Sequence, residues 1–299
     1  MNRLRHVFDR LSGRARSAAP GGPPPQILES YYVAQSIAGA INDGRAYLAA
    51  RLGWLECYAL GMFEKNKSLE AAVLKKLRCH AGVFPATPDE FRRFYDTYTS
   101  ALASVDMLGL MQVPHEQELI SRHAPQALLC PLGALEPYLC SYPWSRHLRG
   151  RRVLVVHPFV ESIQQQFRLH RSRLFANPDV LPEFGLQCLR PPQSIVENTG
   201  GFRSWTDGLE DLKSRIGRLD FDVAVVGCGA YGLPTGAFVK SLGKVAVHMG
   251  GATQLLFGIS GGRWRTQPVF RSLMTDAWQP PLESEHPPGW EKIENGCYW

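Results

Sequence analysis

The sequence contains no CxxC pair, no internal repeat and no apolar stretch near the roughly 20 residues that span a bilayer. Its seven cysteines (Cys57, Cys79, Cys130, Cys140, Cys188, Cys228 and Cys297) are odd in number and irregular in spacing. That excludes a disulfide framework and a structural zinc site, and predicts reduced thiols of a cytoplasmic protein. No apolar core of 7–15 residues follows the basic N-terminus, so no secretory signal is expected. No nucleic-acid-binding module is recognisable either, and the positive charge gathers in one short segment rather than along a face.

That segment is the first 26 residues. Arg3, Arg5, Arg10, Arg14 and Arg16 precede the tract Gly21 to Pro25, in a chain whose formal net charge is +6. Leu4, Val7, Phe8 and Leu11 fall at helical spacing among the arginines. Two readings stand: a disordered basic tail with a Pro/Gly linker, or an amphipathic helix docking weakly on the inner face of the cell membrane. Residues 27–299 have the composition of one globular domain, with 44% hydrophobic and 20% charged residues over the whole chain.

Within that domain, apolar runs alternate with amphipathic stretches. Helices are expected at 27–41, 54–63, 88–104, 161–169, 204–216 and 234–242, with another beginning at Ala134–Tyr138. Thr87 and Glu90 form a capping-box pattern ahead of the third. Strands are expected at 45–52, 106–111, 127–130, 152–156, 221–226 and 244–248. RVLVV (152–156) and VAVV (223–226) are apolar on both alternating faces, as strands buried in a parallel sheet are. The class is α/β, a Rossmann-like, mostly parallel sheet flanked by helices. Ligands of such sheets lie beyond the carboxyl ends of the strands. The segments HPFVES (157–162), GCGAYG (227–232) and HMGGATQ (248–254) are therefore the places for a site.

Gly227, Gly229 and Gly232 make a GxGxxG between a strand and a helix. Glycine permits the sharp turn and lets N–H groups, with Ala230 and Tyr231 between, approach a pyrophosphate at the helix N-terminus. A nicotinamide or flavin site would want a carboxylate at the end of the next strand, which instead reads His248-Met249-Gly250-Gly251. Another nucleotide fits better. Gly250, Gly251, Thr253 and Gln254 offer small residues, a hydroxyl and an amide for a ribose or sugar. His157, Ser162, His248 and Arg263 are candidates for substrate contact, and a solvated arginine or a core histidine is the plain alternative. Arg51, Gly53 and Glu56 follow a strand near the start of the domain. Glu56 could be a general base, a cation ligand or a solvated charge.

Together the RxGxxE at 51–56, the HPFxxSI at 157–163 and the run DVAVVGCGAYGLPTGAFVKSLGKVAVHMGGATQLLFG (222–258) resemble the glycosyltransferases of the GT-D fold. The likeness is nearest to an uncharacterised bacterial surface-polysaccharide branch. It implies a nucleotide-sugar donor, a glycan or lipid-linked acceptor, and a divalent cation, Mn or Mg. The family signature is Arg-x-Gly-Asp-Gly-Glu, and its carboxylates support the metal. Onto this chain it carries Arg51, Gly53 and Glu56, with Trp54 at the aspartate and Leu55 at the second glycine. Only Glu56 of the metal pair is present. The rival expectations are an NAD- or FAD-dependent oxidoreductase and a catalytically inactive nucleotide-binding protein of the same fold.

Overall fold

The computed structural model describes residues 27–299, so the basic tail and linker lie outside the described residues. Seven strands form one all-parallel sheet. They are β1 (Tyr47–Arg51), β2 (Met107–Leu110), β3 (Leu128–Pro131), β4 (Arg152–Val156), β5 (Gly185–Leu189), β6 (Val223–Val226) and β7 (Val245–His248), in the spatial order β3-β2-β1-β7-β6-β4-β5. The class read from the alternating pattern is the one found.

Alternation decides how the sheet is buried. Leu48, Ala50, Leu154, Val156, Ala224, Val226 and Ala246 face one core, and Tyr47, Ala49, Val153, Val155, Val223, Val225, Val245 and Val247 face the other. Both faces are covered, which is why the central strands carry no polar residue within VAVV or VLVV. Each fully buried valine contributes about 1.5–3 kcal/mol relative to exposure. The first core is closed by α2 (Trp54–Asn66), α3 (Ala71–Lys76), α4 (Pro88–Ala103), α5 (Glu116–His123), α7 (Trp205–Ile216) and α8 (Gly232–Ser241). The second is closed by α1 (Ser30–Asp43), α6 (Val160–His170) and the segment after β7.

Two local expectations change. Thr87 Oγ1 accepts from Glu90 N–H at 3.3 Å, but the Glu90 carboxylate does not return the bond. It caps α7 instead, accepting from Thr206 N–H and Oγ1–H at 2.9 and 2.7 Å. The helix expected at Ala134–Tyr138 is two 3-10 turns, Leu132–Leu135 and Pro137–Leu139, because Pro137 interrupts it.

Strand order places the candidate site. From β1 the chain moves outward to β2 and β3, while β7 and β6 lie on the other side, so the order reverses at β1. A second reversal lies between β4, which leads outward to β5, and β6, which leads inward to β7. At both points the loops part and leave a crevice at the carboxyl ends.

Candidate functional site

The β4–β6 reversal holds a cavity of about 140 Å³. His157 and Phe159 after β4, the 191–195 loop after β5, the Gly227–Tyr231 turn after β6, Gln254 after β7, and Ile293, Tyr298 and Trp299 near the C-terminus line it. The strand-tip segments 157–159, 227–231 and 251–254 thus share one cavity.

The three glycines of the turn have different jobs. A Cβ on Gly227 would lie 2.6 Å from Gly250 O and Thr253 Oγ1, and one on Gly232 would lie 2.0 Å from His248 Cε1. Both are packing requirements. Gly229 has φ +56° and open space where a Cβ would be, so its need is conformational and its exposed side faces the cavity. Tyr231 N–H bonds Cys228 O at 3.2 Å and Gly232 N–H bonds Gly229 O, closing a 3-10 turn ahead of α8. The N–H groups of Cys228, Gly229 and Ala230 precede the first bond of that turn and are left as donors. Cys228 is no nucleophile, since burial pushes its thiol up to about 12.

His157 is held as a neutral ring. Its Nδ1 accepts from Phe159 N–H at 3.0 Å, which puts the proton on Nε2, and burial pulls its pKa down to about 3. Gln254 Nε2 donates to Ile259 O and Tyr298 O, at 3.1 and 3.0 Å, while its buried Oε1 has no partner. The cavity wall therefore has backbone and imidazole donors, while Gln254 Oε1 is an unpartnered acceptor sealed behind it. The Tyr231 hydroxyl is tied to Ser194 Oγ at 3.0 Å and its ring stacks on Trp205. Ala230 is buried beside it.

At the other reversal, Arg51 leaves β1 with its guanidinium against Gly250, where a Cβ would lie 2.8 Å from Nη1. Gly251, the next residue, lines the cavity. Arg51 donates to Leu52 O and to Met111 Sδ, and its charge acts on three buried carboxyl groups, Glu56, Glu116 and Glu136. All three sit above their ordinary range because burial disfavours the charged form. Glu116 is partly rescued by the N–H groups of Met111 and Gln112, at 3.0 and 2.7 Å. Glu136 is pushed up to about 7 against the pull of Tyr138 and Arg51. The Tyr138 hydroxyl is committed to Ala252 O at 3.1 Å, and Glu136 Oε2 is left without a partner.

Several residues picked from the sequence prove to have other work. Glu56 folds back over Gly53, where a Cβ would lie 1.8 Å from Oε2, and bonds its own helix N-terminus. It does not line the cavity. Gly53 is needed for that approach rather than for a donor. Ser162 Oγ donates to Glu285 and accepts from Leu282 N–H at 2.9 Å, so it fastens the 282–285 segment onto α6. Arg263 is pinned to Glu294 and to the Tyr298 hydroxyl, and its guanidinium lies over the Tyr298 ring at 4.7 Å. His248 is a core histidine, with Nδ1 at 3.1 Å from Val226 O and a pKa lowered to about 4 by burial and then by Arg51. Thr253 Oγ1 donates to the same carbonyl at 3.1 Å and is fully buried.

A divalent cation does not fit this donor set. Glu56 is a single desolvated carboxyl turned onto its own backbone, and Trp54 is an exposed indole stacked on Tyr58. No cluster of three or more His, Cys, Asp or Glu able to hold a metal occurs among the described residues. The cavity also has lining residues that no sequence motif marks, among them Ser194, Tyr298 and His80. His80 lies at the rim on a π-helical turn, Leu77–Ala81, a local irregularity that often marks functional positions. Its pKa is lowered by burial and by Lys76. The π-turn is fastened to the opposite wall through Arg78 Nη1 to Ser194 O at 2.7 Å.

The fold and crevice define a parallel α/β protein with a donor-lined turn at a strand-order reversal. No protein-family model matches the chain, and no curated protein matches it. A solved structure described as "Selenomethionine substituted structure of domain of unknown function 1792 (DUF1792)" is similar at 10% identity, over 86% of this chain and 96% of that one, with a TM-score of 0.36. At that score the likeness decides nothing about the chemistry. All seven cysteines are free, and among the described residues no helix is long and apolar enough to cross a membrane.

Proposed function

We propose that the chain is a glycosyltransferase that moves a sugar from a nucleotide-activated donor to a polysaccharide or lipid-linked acceptor in bacterial surface-glycan synthesis, working at the cytoplasmic face. The observation that carries this reading is the turn after β6. It lines a cavity at a strand-order reversal with Cys228 and Gly229, whose N–H groups precede the first bond of the turn, and there a diphosphate would be held. Arg51, behind Gly250, would offset the charge that grows on the departing diphosphate. His157 Nε2–H would orient a sugar or ribose hydroxyl, and the Gln254 amide would hold the wall behind it through Ile259 O and Tyr298 O. His80, exposed at the rim and neutral at pH 7, is the group we assign to take the acceptor hydroxyl's proton. The reading routes no step through a metal.

The cavity of about 140 Å³ is smaller than the roughly 300 Å³ at which pockets for drug-sized ligands begin. A nucleotide sugar would therefore need the lining to widen. Equilibrium titration with UDP, GDP and several nucleotide sugars, set against NAD(H), tests the proposal, and selective NAD(H) binding would sink it. A second reading, a nucleotide-binding protein without catalysis, is favoured by the inward-turned Glu56 beside Trp54. Nucleotide-sugar binding without donor hydrolysis, with or without manganese, would decide for it.

A further inference from the structure

Exposed apolar side chains concentrate at one edge of the molecule. Tyr31, Tyr32 and Tyr142 are 54%, 60% and 59% exposed, and Ile27, Leu128 and Leu139 accompany them. The tyrosines form one cluster: the Tyr31 ring meets Tyr32 at 5.8 Å and Tyr142 at 6.1 Å, edge to face. Five lie on α1, the edge strand β3 and the segment that follows it, and Ile27 lies just ahead of α1, bridged to β3. Three exposed phenols in one cluster suit the boundary between water and lipid headgroups, where a ring is buried and a hydroxyl stays wet.

The chain that precedes this edge carries complementary charge. Ile27 pairs with Leu129 of β3, and Leu28 N–H bonds Leu129 O at 2.8 Å, so residues 1–26 join the domain inside the patch. Those residues hold five arginines against one acidic residue, Asp9, which places four of the chain's six net positive charges there. Glu29, exposed between Ile27 and Tyr31, is the carboxylate those arginines outweigh. One apolar cluster and one polybasic segment at the same edge are the two signals that reversible attachment to an anionic bilayer needs.

We infer that the tyrosine edge formed by Tyr31, Tyr32 and Tyr142 docks on an anionic lipid surface, with the arginines of residues 3–16 supplying the electrostatic attraction. Leu139 is one residue from Tyr138, whose hydroxyl bonds Ala252 in the loop after β7. That bond links the segment beside the docked edge to the loop after β7. The inference stands independently of the transferase reading.

The test is flotation of the full chain with vesicles of phosphatidylcholine alone and with about one third phosphatidylglycerol, at low and high salt. Binding is expected to the anionic vesicles only, and to fall at high salt. The Y31S/Y32S/Y142S variant should partition roughly tenfold less. L169S/L242S, which removes two exposed apolar residues from α6 and the end of α8, should behave as the unaltered chain. Tyr142→Ser alone, in a segment outside any helix or strand, should show a smaller loss in the same direction and guards against misfolding of the triple variant. Equal partition of the tyrosine variants, or no binding of the full chain to anionic vesicles, overturns the inference. A dimer in sedimentation equilibrium that the triple variant abolishes would also overturn it, by assigning the patch to a second copy. Nucleotide titration of the same variants should be unchanged, so loss of lipid binding and failure of the transferase reading are told apart.

Discussion

Gly232→Ala tests the packing behind the turn directly. An added Cβ would lie 2.0 Å from His248 Cε1 and 2.6 Å from its Nδ1, and that ring is fixed by its bond to Val226 O. No real Cβ contact is that short, so α8 or the imidazole must move. Overpacking of this kind costs about 1–3 kcal/mol, which for a domain of this size lowers Tm by roughly 2–10 °C. His248→Ala removes the obstacle while opening a cavity, and alone should cost about 2–4 kcal/mol. If the clash is the mechanism, the double variant is more stable than the sum of the two losses, by about 1–3 kcal/mol. Urea denaturation of the four proteins, read by circular dichroism, measures that coupling. Additive losses, or a Gly232→Ala protein as stable as its parent, would refute the packing argument and return Gly232 to the list of ligand-facing glycines.

Gly229→Ala should do the opposite. Its Cβ enters open space, so the left-handed backbone costs only about 1–2 kcal/mol, while UDP affinity in a calorimetric titration drops at least about tenfold as the N–H donors are re-aimed; unchanged affinity would detach the turn from the ligand. Glu136→Gln probes the buried carboxyl. Its folded pKa, about 7, lies above the ordinary 4.5, so the native chain binds the extra proton and loses stability as pH rises between those values. The glutamine variant should match the parent near pH 4 and exceed it by up to about 3 kcal/mol at pH 8, and parallel stability curves would contradict this. Ser162→Ala should lower Tm by loosening the 282–285 segment from α6, with nucleotide affinity intact; a selective loss of affinity would restore Ser162 as a substrate contact. Exhaustive EDTA treatment should leave the nucleotide-induced Tm shift unchanged, because no donor set at Glu56 suits a cation; its disappearance would bring the metal back.

The layered fold was legible because burial writes itself into period and composition. RVLVV and VAVV could only be strands covered on both sides, and the amphipathic stretches between them could only close those faces. β5 was not legible, since GLQCL is half-buried at the sheet edge and carries no clean pattern. The same holds for α5, where EQELISRH buries Leu119 and Ile120 beneath a charged exterior. In the site, the glycine turn was readable from its strand–turn–helix setting. The fates of Ser162 and Arg263 were not, because Glu285 and Glu294, which claim them, lie far along the chain in a segment with no periodicity. The setting of Glu56 was hidden for a different reason. Spacing puts it in the first turn of α2, but only packing reveals that its carboxyl curls onto Gly53 and leaves water.

The place of β7 has a consequence for how the chain comes into being. β1 and β6 both hydrogen-bond to it, with Tyr47 and Ala224 opposite Val245 and Ala246. During synthesis the halves of the sheet wait, each with an open edge of unpaired N–H and C=O groups, until the residues near 248 have left the ribosome. Such long-range closure is slow, and the waiting edges invite association with other chains. A fragment ending before β7 is therefore expected to accumulate as aggregate rather than as a smaller folded domain.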